Sequence, residues 1–237
     1  MVLLQEKAEE DFAENQSECA SSFAAGNQHQ NLWCVPEESF QRITSGRENA
    51  QTCSRLLEGV HQCILGADCT VIFPDEGGDP AMVSFEDLGV LKKFIQNILN
   101  ITHFKTALTS IYIIGDLVTH SESEGIQRNT AKVLPLVFTA ILDKLGDSKV
   151  VIRQTVLKLL AKTFCMSNID RVQLVYLVFE NLENSAADVA KCEALVTALI
   201  VAVLGSKMGG QQDQGLGLSD AAELSTLVAS QLWKWFA

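Results

Sequence analysis

Five cations stand where this sequence is about to become helical. Arg47, Lys105, Lys149, Arg153 and Lys191 each fall in or near the first turn of a segment with helical periodicity. A helix N-terminus already holds partial positive charge, so a cation there costs about 0.3–1 kcal/mol. Repeating that placement in a chain whose formal net charge is -11 implies a use for the charge. The chemistry it suits is recognition of an acidic protein surface, with no bond made or broken.

The other residue types that could do chemistry are poorly spaced for it. Seven cysteines include no Cys-x-x-Cys pair. The cluster Cys53, His61, Cys63 and Cys69 fits no common zinc template, and free thiols in a reducing compartment are the expectation. His29, His61, His103 and His120 have no nucleophile or carboxylate at a recognisable motif spacing. The pairs Gly77–Gly78 and Gly209–Gly210 sit in loops without a preceding strand, so neither forms a phosphate cradle. The expectation is a non-enzyme with no catalytic residue, no metal and no cofactor. Nucleic acid is an unsuitable partner, because a net acidic domain lacks the cationic field that phosphate backbones demand.

The elements that must position the cations follow from composition and periodicity. At 237 residues, 47% hydrophobic and 20% charged, the chain can bury one sizeable core. Its opening apolar run is too short for a signal peptide, and the longest uncharged apolar stretch, Ala194 to Ser206, falls short of the roughly 20 residues of a membrane span. A soluble intracellular protein without membrane contact is expected. Residues 1–30 place Glu6, Glu9, Glu10, Asp11, Glu14 and Glu18 against Lys7 alone; this composition predicts an acidic, disordered lead-in to a domain over 31–237.

Apolar residues then recur at helical spacing, as in Ile152, Val156, Leu159, Leu160 and Phe164. The pattern predicts an all-α fold with helices near 36–44, 48–64, 85–99, 105–119, 125–145, 149–164, 168–182, 187–204 and 219–236. Residues 69–84 read as a Pro- and Gly-rich connection, and 205–220 as a loose loop. Three junctions, ILNITHFKTAL, KLGDSKVVIRQ and NLENSAADVAK, share a leucine (Leu99, Leu145, Leu182), a tight polar turn and a new helix. They recur at intervals of about 40 residues, the length of a helical-hairpin repeat of the HEAT type. Stacked hairpins form an α-solenoid whose intra-hairpin turns share one edge, and the cations would form a ridge there. Asp147 and Ser185 are the expected caps of the helices that follow them.

The segment DKLGDSKVVIRQTVLKLL, Asp143 to Leu160, resembles the third intra-repeat turn of TOG domains, the tubulin-binding HEAT arrays of crescerin and CLASP type. WCVPEESFQRI, Trp33 to Ile43, followed by a helix ending in LLEGVHQCIL, is similar to the opening of a crescerin-type TOG domain. The resemblance spans roughly 33–204. It implies a TOG-type solenoid that grips αβ-tubulin or microtubules by its turns: Asp147, Ser148, Lys149 and Arg153 in the third, Thr102, Phe104 and Lys105 in the second. Arg47 and Lys191 are the matching cations of the first and fourth. The first turn departs from the pattern, with Ala50 near the usual aromatic and Cys53 near a usual basic position. The fourth has Asp188 and Ala190 where basic residues are common.

Two functions follow from the resemblance. One is a tubulin-binding module in the cytoplasm and cytoskeleton, at the cilium or axoneme for the crescerin branch. The other is a TOG-like scaffold without tubulin affinity that binds other cytoskeletal or ciliary proteins, with Trp233, Trp235 and Phe236 as candidate anchors.

Overall fold

Proline favours the start of a helix because its missing N–H has no helical partner there. In the computed structural model, Pro36 immediately precedes helix α1, Glu37–Ser45. The structure describes residues 34–67, 69–73, 81–119, 124–166, 169–185 and 187–208, together with 222, 225, 226 and 228–230. Glu37 and Glu38 place negative charge in the first turn of α1, where the dipole favours it. Gly46 ends the helix at φ 65°, a left-handed conformation that glycine adopts without strain. Helix α2, Ala50–Ile64, opens after Asn49, whose side chain accepts the Thr52 N–H at 2.9 Å.

The stretch expected as an irregular connection has structure at both ends. Cys69–Ile72 forms a short helix, α3. Met82–Ser84 is a strand, β2, that pairs antiparallel with β1, Cys34–Pro36, placing Val35 opposite Val83. Three residues are too few to display a period of two, so the sequence carried no readable strand signal. Helix α4, Leu88–Leu99, begins later than expected because Asp87 caps it, accepting the Gly89 and Val90 N–H groups at 2.7 and 3.1 Å. Phe85, read as helical from its apolar character, is instead fully buried in the preceding turn.

Helices α5, Phe104–Thr119, and α6, Glu124–Asp143, follow. A 3₁₀ turn over Lys144–Gly146 leads to α7, Val150–Cys165. Helices α8, Arg171–Asn184, and α9, Val189–Met208, complete the described elements. The last helix runs past the expected end at residue 204. The expected lead-in over 1–30, Trp33, and the tryptophans near the C-terminus lie outside the described residues; of the helix expected over 219–236, residues 222, 225, 226 and 228–230 are described as helical.

By contact, the helices sort into two rows. Helix α1 packs on α4, α4 on α6 and α6 on α8, while α2 packs on α5, α5 on α7 and α7 on α9. The described elements all fall within one unit, Leu32–Ala237, and the described residues are mostly helical. Large side chains such as Leu57, Phe94, Ile114, Leu134, Phe138, Leu160, Val175 and Leu199 are buried, each contributing about 1.5–3 kcal/mol by leaving water. Phe85 and Phe94 pack with ring centroids 4.9 Å apart, and Phe138 meets Phe164 edge-on at 6.1 Å. Among the described residues, no helix is long and apolar enough to cross a membrane.

Candidate partner-binding edge

The turn between α6 and α7 is fastened to the turns on either side of it. The Lys144 Nζ donates to the Ile101 carbonyl, in the α4–α5 turn, at 3.4 Å. From the other side the Lys191 Nζ, near the start of α9, reaches the Asp143 Oδ1 at 2.9 Å. The Lys191 stem also lies over Gly146, its Cδ being 3.3 Å from where a Cβ on that glycine would stand. These contacts gather the openings of α5, α7 and α9 along one edge.

Each of those helices opens on an apolar residue that faces water. Phe104 is 41% exposed, Val150 53% and Val189 70%. Exposed apolar residues scattered singly need no explanation, but these three occupy the same position in three consecutive hairpins. Of the three, the sequence reading singled out only Phe104. The missed signal was positional: an apolar residue immediately after a polar turn, which the helical face counts as part of the core.

The predicted site residues divide into free and engaged groups. Lys149 is exposed beside Val150, and no partner for its ammonium group occurs among the described residues. Ser148 and Thr102 are exposed in their turns. Arg47 is exposed in the connection before Asn49, three residues ahead of α2; its backbone N–H donates to the Ser45 Oγ at 3.3 Å. Lys105 forms a surface ion pair with Glu58 of α2 at 3.0 Å, which water screens and thermal motion readily opens. Arg153 is turned back on its own loop, its Nη1 donating to the Asp147 carbonyl at 2.7 Å. Lys191 is similarly committed, with only 15% of its side chain exposed.

The caps differ from expectation too. Asp147 does not cap a helix opening at Ser148; its carboxylate accepts the Lys149 N–H at 2.8 Å, and α7 starts at Val150, two residues later, with Lys149 itself in the uncapped N-cap position. Ser185 closes α8 instead of opening α9. Asp188 caps α9 by accepting the Lys191 N–H at 3.0 Å, so the acid that departs from the TOG pattern has a structural use.

Of the cysteine and histidine cluster, Cys63 is buried and His61 is engaged by a carboxylate. His61 of α2 and Asp116 of α5 meet at 2.5 Å between Nε2 and Oδ2, both side chains largely buried. Burial, and then the nearby Glu48 carboxylate, push the Cys53 thiol above its usual range and keep it protonated. Among the described residues no group of three or more His, Cys, Asp or Glu side chains could hold a metal ion. What the edge offers is a set of turns bearing neighbouring apolar and cationic side chains. Comparison with protein-family models, with curated proteins and with solved structures finds no match to this chain.

Proposed function

We propose that this chain is a non-catalytic, TOG-like HEAT solenoid that binds αβ-tubulin through its intra-hairpin turns and acts in microtubule regulation, in the cytoplasm or at the cilium. The observation that supports the reading is the paired row at the helix openings, Phe104 with Lys105 and Lys149 with Val150, extended by Val189. Apolar anchors flanked by cations suit an acidic protein surface: the anchors supply affinity and the lysines supply steering and register. Arg153 and Lys191 act in this reading by holding the third turn in shape.

Gel-filtration co-elution of the full chain with purified αβ-tubulin, at low and moderate salt, tests it. The wild type should co-elute at low salt and less at moderate salt, because exposed charges are screened over about 10 Å at 0.1 M. Phe104→Ala/Lys149→Ala should weaken binding at least tenfold, as expected of losing contacts worth more than about 1 kcal/mol each, with the melting temperature unchanged. An unaltered affinity in the double variant would remove the edge from the interface.

The second reading is a scaffold of the same fold without tubulin affinity. The engagement of Lys105, Arg153 and Lys191 within the molecule favours it, since it leaves less cationic surface than the sequence promises. Absence of co-elution even at low salt would select it.

A further inference from the structure

Helices α2, α5, α7 and α9 each begin on an apolar residue that stands in water: Ala50, Phe104, Val150 and Val189. The first helical position gains most from proline or an acid, because its N–H has no intrahelical partner and the dipole is positive there. None of the four helices uses either. Ala50 is too small to anchor anything, so the row has three substantial members.

Their spacing limits what can meet all three. Helix α5 packs directly on α7, and α7 on α9; packed helices lie about 8–10 Å apart. The turns are also tied to one another, Lys144 to the Ile101 carbonyl and Lys191 to Asp143. The anchors therefore recur once per hairpin along the edge. A partner helix returns a side chain to nearly the same face after seven residues, about 10.5 Å on. One face of an extended strand repeats at about 6.6–6.8 Å instead, so a strand that meets one anchor in register misses the next.

The flanking charges narrow the partner further. Lys105 follows Phe104, and Lys149 precedes Val150; both are exposed, and Lys105 has only its surface pair with Glu58 to give up. Val189 instead follows Asp188, whose carboxylate accepts the Lys191 N–H at 3.0 Å. A complement carries acidic residues beside the anchors that meet α5 and α7, and none beside the one that meets α9.

We infer that the openings of α5, α7 and α9 receive an amphipathic helix of a partner protein, with apolar residues seven apart and acidic residues toward its α5–α7 end. The inference rests on the reading of this edge as the partner-binding face and adds the shape of the bound segment.

Fluorescence anisotropy with a designed probe tests it on the full chain. The probe is a fluorescein-labelled helical peptide of alanine and glutamine, with leucine at three positions seven apart and glutamate beside the first two. Its control has the same composition with the leucines five apart, which scatters them around the helix. The heptad probe should bind the wild type at least about tenfold more tightly than the control, and Phe104→Ala or Val189→Ala should each weaken it about tenfold while leaving the control unchanged. Lys149→Ala should weaken it more at low than at moderate salt. Equal affinity for the two peptides, or no binding of either, overturns the helical partner. A heptad preference that survives both alanine variants overturns it as well, because the helix then lies elsewhere. Tubulin co-elution alongside equal peptide affinities would sink this inference and leave the proposed function standing; a heptad preference lost in both variants, without tubulin co-elution, would support it and select the scaffold reading.

Discussion

Lys149 and Lys191 both stand near the opening of a helix, yet their ammonium groups have different uses. Lys191 bridges to Asp143 on an earlier hairpin and covers Gly146 with its stem, so it contributes an ion pair half open to water and also packing. Lys149 is exposed, and its ammonium group pairs with no acid among the described residues. Lys191→Ala should therefore lower the melting temperature by about 2–4 °C, the effect of roughly 1 kcal/mol in a domain of this size, while Lys149→Ala should move it by no more than about 1 °C. Differential scanning calorimetry of the two variants decides the matter; equal losses would mean that Lys149 is as structural as Lys191. Neither role was legible locally, because the partner of Lys191 lies 48 residues away.

At the scale of the element, side-chain caps set the starts of four helices, while α1 and α7 open without one. Asn49, Asp87, Asp170 and Asp188 each accept a backbone N–H at the start of their helices. Helix α7 instead begins with a lysine that supplies no acceptor. Replacing Asp87 with Ala should lower stability by about 1 kcal/mol, seen as a lower urea midpoint at unchanged slope. Lys149→Ser should do the reverse, raising the midpoint by supplying the missing cap, while weakening a partner that uses the cation. A stability loss on Lys149→Ser would show that the turn needs lysine for its own geometry. The helices themselves were legible because their apolar spacing is a local property; the late starts of α4 and α7 were not, since each depends on which neighbouring acid turns toward the backbone.

For the molecule as a whole, the question is what keeps successive hairpins in register. Polar ties join α2 to α5, among them His61 with Asp116, largely buried, and Lys105 with Glu58, both exposed. Exposed pairs contribute about 0.2–1 kcal/mol, whereas contacts sheltered from water couple more strongly, up to about 3 kcal/mol. Double-mutant cycles on the two pairs, read from urea unfolding, should give the larger coupling for His61–Asp116. Equal couplings would mean that apolar contacts alone set the register.

The all-α class and the positions of eight of the described helices follow from the sequence by itself, because a helix displays its buried face every three or four residues. The repetition of tight turns about every 40 residues is likewise a one-dimensional signal. Tertiary structure decided the rest. It paired two three-residue strands separated by 45 residues of chain between Pro36 and Met82, too short to carry a period. It chose which cations remain free, since Asp143, Glu58 and the Asp147 carbonyl reach them only once hairpins and turns have formed. It also turned Phe104, Val150 and Val189 out toward water at helix openings, where hydropathy alone would have counted them as core.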